Sequence, residues 1–293
     1  MAAIELNGLT KSYGTNRGID NVTLSVREGE MFGFIGPNGA GKSTTIRTML
    51  GLLLPSSGTA LLLGQDAVKQ GTESRRRIGY LPSEVHYYNE MTSRELLTYH
   101  ADLMGLVDAS TEMESLAATL ELDLDRLISD LSFGNKKKCA IVQALLHKPD
   151  LLLLDEPTSG LDPLIQNRFF ELLEARNAAG VTVFFSSHIL SEIQRLCDRA
   201  AIIREGQITA IEDINSLLAK QMKKVRLVLE DGHAPELPAG ASDAHWSGSK
   251  VTFDYVGATS DLVAWLAAQP VVDVTLNEPD LESIFMNYYR RES

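Results

Sequence analysis

The segment Gly36-Pro37-Asn38-Gly39-Ala40-Gly41-Lys42-Ser43 constrains this chain more than any other. A glycine, four intervening residues and then Gly-Lys-Ser is the spacing of a loop that cradles phosphate. The apolar run Met31-Phe32-Gly33-Phe34-Ile35 before it reads as a buried strand, and Thr44-Thr45-Ile46-Arg47-Thr48-Met49-Leu50 after it reads as a helix. Glycines admit positive φ and let successive N–H groups converge, and the helix N-terminus behind them adds about half a positive charge. A triphosphate is the natural guest, with Lys42 reaching the β- and γ-phosphates and the Ser43 hydroxyl binding Mg²⁺. A plain glycine-rich turn is the bland alternative, and the strand before and helix after argue against it. The loop alone does not separate a kinase, a GTPase and a transport motor.

A chain of 293 residues has room for one large domain or two modest ones. With 44% hydrophobic and 23% charged residues it is ordinary for a soluble globular protein with a sizeable core. The net charge of −12 argues against nucleic acid as the main partner, since a phosphate backbone needs clustered cations. The basic runs Arg75-Arg76-Arg77 and Lys136-Lys137-Lys138 are short and isolated. Cys139 and Cys197 lack metal or redox spacing, so reduced cytosolic thiols are expected. No signal peptide is expected from Met1-Ala2-Ala3-Ile4-Glu5, and no stretch of about 18 apolar residues predicts a membrane span.

Alternation predicts strands at 4–9 and 22–26, with a turn at Lys11-Ser12-Tyr13-Gly14, and further strands at 59–63 and 78–81. From Thr92 the chain turns helical, Thr92 and Glu95 forming a capping box, with helices at 111–122 and after Gly134. Strand and helix then alternate: the apolar strand 150–154, a helix at 164–178, a strand at 181–185, a helix at 189–197, and a hairpin of 200–204 with 207–210. Composition shifts near residue 220. Strands around Val225 and Val251, a Gly/Pro/Ala/Ser-rich loop at 231–250, a helix at 260–269, a strand at 271–276 and a helix at 281–289 predict a small β-β-α-β-α domain. No internal repeat is visible.

Asp155-Glu156 ends the apolar run Leu151-Leu152-Leu153-Leu154, at the carboxyl edge where α/β sheets bind ligands. Asp155 would hold Mg²⁺ together with Ser43, and Glu156 would polarise an attacking water. His188 follows the next parallel strand at the same edge; a helix cap or a satisfied surface group is its alternative reading. At this point the chain resembles the ATP-binding subunits of ABC transporters, over residues 1 to about 220. The residues that carry the resemblance are 36–43 (Walker A), Leu131-Ser132-Phe133-Gly134-Asn135 (signature), 151–156 (Walker B), Ser159-Gly160-Leu161-Asp162 (D-loop) and His188 (switch), in the family's order. The chain looks like the branch that serves separate membrane subunits in drug, bacitracin-type or similar export. Its tail resembles that branch's accessory domain, including Pro279-Asp280-Leu281-Glu282-Ser283-Ile284-Phe285.

The resemblance implies an α/β fold: a P-loop NTPase core with an antiparallel β subdomain and a helical signature subdomain, plus a small α+β C-terminal domain. Residues 1–219 would form the ATP-binding domain, with its helical insertion at about 84–145, and 220–293 the accessory domain. ATP would be held by Tyr13, stacked on adenine, and by Gly36, Pro37, Asn38, Gly39, Ala40, Gly41, Lys42, Ser43 and Thr44. Ser132 and Gly134 would touch the γ-phosphate of ATP held by an opposite subunit, and Asp162 that subunit's Walker A. Catalysis would fall to Glu156, His188 and Lys42, with His188 on the γ-phosphate. Mg²⁺ would sit on Ser43 and Asp155, and on Ser83 through water.

The chain departs from the family pattern at two places. Phe133 stands where Leu-Ser-Gly-Gly-Gln has its first glycine (and Asn135 where it has glutamine), so a bulky ring lies at the expected subunit seam. Ser83 stands where a Q-loop glutamine is expected, two carbons too short, with Glu84 beside it; a strand-end turn without catalytic duty is the other reading. Tyr87-Tyr88 would form either a docking groove for a membrane subunit's cytoplasmic helix or part of a core. Lys136-Lys137-Lys138 at a helix start opposes the macrodipole and reads as a solvated face, or as an attraction for phosphate across a dimer.

The expected function is therefore an ATP-hydrolysing motor subunit that powers export through a separate transmembrane permease. It would work as a homodimer or heterodimer with ATP at the interface, cytoplasmic and peripheral on the membrane's cytoplasmic face, without nucleic acid. The alternatives are a soluble ABC ATPase acting on DNA or ribosomes, and a P-loop kinase or GTPase. The signature segment speaks against the kinase or GTPase, as does the lack of an Asn-Lys-x-Asp guanine motif.

Overall fold

The computed structural model describes residues 1–14, 16–69, 75–214, 223–230 and 234–277. The chain falls into two compact units that divide between Glu212 and Asp213. In the first, β1 (Ala2–Tyr13) and β2 (Asn16–Arg27) form an antiparallel hairpin. After β3 (Met31–Ile35) come α1 (Lys42–Met49), β4 (Ser57–Leu62), β5 (Gln65–Asp66) and β6 (Ile78–Leu81). Three helices follow, α2 (Ser93–Met104), α3 (Ser110–Leu120) and α4 (Phe133–Leu146). The chain then alternates through β7 (Leu151–Asp155), α5 (Pro163–Ala178), β8 (Thr182–Ser187), α6 (Leu190–Leu196), β9 (Arg199–Arg204) and β10 (Gln207–Asp213).

Two sheets result. One is antiparallel in the order β2-β1-β4-β5; the other runs β10-β9-β3-β8-β7-β6, and its strands from β9 to β6 are parallel. Helix α1 lies in the core that the two sheets share. Its Ile46 and Met49 pack in one cluster with Ile4, Leu6 and Val22 of the first sheet and Phe34, Leu153 and Phe184 of the second. All five residues of β3 and of β7 are buried, as expected for central parallel strands covered on both faces. Burying each such Leu or Phe contributes about 1.5–3 kcal/mol. Register decides the rest: Ile35 pairs with Ser187, and Asp155 with Ser186. The segments leaving β3, β7 and β8 therefore emerge side by side at one carboxyl edge.

The expected capping box is present. The Thr92 hydroxyl accepts from the Glu95 amide, the Glu95 carboxylate accepts from the Thr92 amide, and Gly105 (φ 69°) ends α2. Two expectations fail in detail, and one strand had no expectation to meet. Lys11, Ser12 and Tyr13 are not a turn but the last residues of β1, where Tyr13 pairs with Asn16. The two-residue strand β5 was too short to show a pattern. In the second unit, the loop expected at 231–250 contains a strand.

That second unit has β11 (Lys223–Leu229), β12 (Ala241–Ser247), β13 (Lys250–Tyr255), α7 (Thr259–Ala267) and β14 (Val271–Asn277). They form an antiparallel sheet in the order β12-β13-β11-β14. Val225, Leu227, Val251, Phe253 and Tyr255 pack with Leu262 of α7. Strand β12 lies at the sheet edge, with six of its seven residues exposed, so it carries no apolar alternation from which to be read. The helix expected at 281–289 and the motif at 279–285 lie outside the described residues. Among the described residues, no helix is long and apolar enough to cross a membrane.

Candidate nucleotide site

The loop between β3 and α1 is shaped by its glycines. Gly41 caps α1 at φ 108°, and a Cβ there would lie 2.8 Å from Ile19 Cγ2. No side-chain hydrogen bond caps α1, and a helix N-terminus left so has N–H groups suited to an anion. Lys42 folds back over the loop. Its buried ammonium donates to the carbonyl oxygens of Gly36 (2.7 Å) and Pro37 (3.1 Å) and pairs with Glu156 Oε1 at 3.0 Å.

Glu156 is the hub of the site. Its other oxygen lies 3.4 Å from His188 Nδ1, so one carboxylate spans the lysine of the loop and the histidine after β8. Its backbone is left-handed (φ 46°), and its amide donates to the carbonyl and hydroxyl oxygens of Ser186 at 3.2 Å. A non-glycine residue in this conformation costs of order 1 kcal/mol or more, and such strain clusters at functional sites.

Asp155, fully buried, accepts a hydrogen bond from the Ser186 hydroxyl at 2.9 Å through Oδ1. Its Oδ2 is buried with no hydrogen-bond partner among the described residues. A buried, unpaired carboxylate oxygen is expensive and fits a cation ligand. Among the described residues there is no group of three or more His, Cys, Asp or Glu side chains able to hold a metal. One carboxylate plus the Ser43 hydroxyl is a donor set for Mg²⁺, which keeps waters and phosphate oxygens for its other positions.

Lys42, Ser43 and Glu156 border a cleft of about 760 Å³, with Asp155 buried behind them. Asn38, Gly39, Gly41, Lys42, Ser43, Thr44 and Glu156 line it, as do Ser83 and Glu84 after β6. Tyr13 lines it too, half exposed, with Lys11 Nζ 5.5 Å from its ring centre. Gly36, Pro37 and Ala40 form the loop's frame: a Cβ on Gly36 would meet the Ile203 carbonyl oxygen at 2.5 Å, and the Ala40 amide donates to the Pro37 carbonyl. The His188 side chain is 45% exposed and borders a second, smaller hollow of about 220 Å³ beside Glu156, Ser159 and Gly160.

Ser132 is the N-cap of α4, its hydroxyl accepting from the Asn135 amide at 3.3 Å. Phe133 lines the cleft of its own chain and lies on the D-loop; a Cβ on Gly160 would sit 2.4 Å from Phe133 Cδ1. Gly134 is as close: a Cβ there would be 2.5 Å from the Gly160 carbonyl oxygen. Asp162, exposed, caps α5 by accepting from the Leu164 and Ile165 amides at 3.1 Å.

The solvated-face reading of Lys136-Lys137-Lys138 is wrong for two of the three. Lys138 is buried and donates to the Glu121 carbonyl, and Lys137 is fully buried. Lys137 Nζ donates to the carbonyl oxygens of Pro82 at 2.9 Å and Ser83 at 3.1 Å. Burial pulls its ammonium down to about 8, against the opposing pull of Asp155 and Glu156. Sequence reasoning missed it because its partners lie more than fifty residues away. Tyr87 is also no exposed residue: its hydroxyl donates to Gln143 Oε1 at 2.9 Å, and burial pushes its phenol well up, whereas Tyr88 is exposed. Cys139 and Cys197 are free, buried thiols, and burial pushes Cys139 up to about 12.

Comparison with known proteins gives the family. Residues 19–159 match the ABC transporter family model. The bacitracin transport ATP-binding protein of Bacillus licheniformis is 33% identical over 97% of this chain and 96% of its own length. The Nod factor export ATP-binding protein I of Burkholderia orbicola (strain AU 1054) is 32% identical over 100% of this chain and 98% of its own. A solved ATP-binding subunit of an ABC transporter superposes with a TM-score of 0.70 and 32% identity, covering 73% of this chain and 91% of that one. With a glycine loop, an acidic strand end and a histidine on one sheet edge, and relatives matched end to end, the chain belongs to the ABC transporter family, as an ATP-binding subunit.

Proposed function

We propose that this chain hydrolyses ATP to ADP and phosphate and that this drives export through a separate membrane subunit. The observation that carries the reading is the Glu156 carboxylate, spanning Lys42 Nζ at 3.0 Å and His188 Nδ1 at 3.4 Å beside the glycine loop. The N–H groups of the loop and of α1 bind the phosphates, and Lys42 exchanges Glu156 for β- and γ-phosphate oxygens. Glu156 then accepts a hydrogen bond from the attacking water and orients it in line with the γ-phosphorus. His188 donates to a γ-phosphate oxygen. Asp155 and Ser43 would hold Mg²⁺, which when bound neutralises charge on the phosphates. Tyr13 offers its face to the base.

Ser132, Phe133, Gly134 and Asp162 belong to a seam with a second subunit, identical or related, that supplies the other half of each site. A groove of about 340 Å³ within the first unit, lined by Leu52, Val85, Tyr87, Met104 and Ala140, suits a cytoplasmic helix of the permease. The protein then works at the cytoplasmic face of the membrane. The bacitracin and Nod factor relatives, matched over nearly their whole lengths, favour export over a role on DNA or ribosomes.

Phosphate release from ATP by the purified chain, with and without Mg²⁺, tests the reading. Mg²⁺-dependent turnover and co-purification with a polytopic membrane protein are expected. Failure to bind or turn over ATP, or co-sedimentation with ribosomes or DNA instead, would overturn it.

A further inference from the structure

Lys137 is a lysine with no exposed surface, one turn into the helix that follows the signature segment. Placing an ammonium there costs several kcal/mol in lost hydration unless fixed dipoles and opposite charges replace the water. Two carbonyl oxygens do part of this, those of Pro82 and Ser83 at 2.9 and 3.1 Å. The fields of Asp155 and Glu156 add to it, since both favour the charged form, but burial still outweighs them. One side chain thus joins three parts of the site: the N-terminal turn of α4, the loop leaving β6, and the acidic end of β7.

That loop most needs support from elsewhere. Ser83 and Glu84 line the nucleotide cleft, but among the described residues neither side chain makes a hydrogen bond or ion pair that would anchor the loop across it. The anchoring contact comes instead from behind, through the loop's own carbonyl groups. We infer that Lys137 is a positioning residue for ATP hydrolysis: it clamps the Ser83–Glu84 loop to α4, so that the loop lining the cleft and the helix carrying Ser132, Phe133 and Gly134 move as one body. The clamp acts through Ser83 and Glu84, without touching substrate, and it rests on the ATP-hydrolysis reading above.

The test compares the full chain with Lys137→Met and Lys137→Arg. Methionine keeps the apolar stem and removes the donors; arginine keeps charge and donors. Lys137→Met should lower kcat about tenfold with KM for ATP changed by less than about twofold, because the groups that bind phosphate are untouched. Lys137→Arg should recover at least about half of the lost kcat. Amide hydrogen exchange should quicken about tenfold at 83–88 in Lys137→Met, with the core strands β3 and β7 unchanged, and return toward wild type in Lys137→Arg. A Lys137→Met protein with wild-type kcat overturns the proposal. So does a loss that arginine fails to restore with exchange quickened throughout, since that marks a packing defect. If the wild-type chain does not hydrolyse ATP, the hydrolysis reading falls separately. Exchange at 83–88 then decides the clamp, and unchanged exchange there overturns it.

Discussion

One wall of the cleft keeps its chemistry in short stretches of chain, residues 36–44 and 155–156. The other assembles it from α4, the loop after β6 and the D-loop, joined by contacts between distant residues. On the first wall, Lys42 bonds to carbonyl groups five and six positions away. On the second, Lys137 reaches 54 and 55 positions back to Ser83 and Pro82, and Phe133 rests on Gly160. The first wall keeps the family's spacing; the second carries both departures, Phe133 and Ser83. Local backbone geometry tolerates little change, because each glycine and each N–H direction is needed. A wall held by side-chain contacts can change residues as long as some other side chain takes over the contact.

Changes on the first wall should therefore cost most. Lys42→Ala removes the cation that serves the loop carbonyls and Glu156, and ATP turnover should fall about 100-fold or more. Turnover within tenfold of wild type would place the essential charge elsewhere. On the second wall, Gly160→Ala meets the Phe133 ring at 2.4 Å and must also adopt φ near 79°. A loss of about 1–3 kcal/mol in urea unfolding is expected. In a Phe133→Ala background the clash is gone, so Gly160→Ala should cost about 1 kcal/mol less. Equal costs in both backgrounds would show that Phe133 does not rest on the D-loop.

The smallest effect concerns the helical insertion behind the second wall. Burial lowers His100 to about 4, with neighbouring His147 adding to it, and His147 is lowered by its own burial. An unfolded histidine titrates near 6.5. Between about 6.5 and 4 the unfolded chain therefore binds a proton at this position that the folded chain refuses, and stability falls as pH drops through that window. Urea midpoints at pH 7, 6 and 5 should fall less steeply for His100→Gln than for wild type; parallel slopes would contradict the burial argument.

The legible features follow the same division. Strand β7 and the acidic pair could be read because four buried leucines and two carboxylates are contiguous. The loop of β3 and α1 could be read because its spacing is stereochemically required. The capping box of α2 is likewise confined to four residues. Lys137 could not be read, since a lysine among lysines at a helix start looks solvated until the β6 loop is folded against it. Strand β12 could not be read either, as an edge strand exposed along nearly its whole length has no period to display. The Glu156–Lys42 and Glu156–His188 contacts depend on the β3-β8-β7 strand order, which the sequence motifs imply only through the family resemblance.

The most direct test of the central claim is Glu156→Gln. The amide keeps the size of the side chain and its place between Lys42 and His188, but it cannot accept the water's proton. The variant should bind ATP with near wild-type affinity, hydrolyse it about 100-fold or more slowly, and accumulate as an ATP-bound dimer in size-exclusion chromatography. A Glu156→Gln protein that stays monomeric and turns ATP over at the wild-type rate would contradict the account.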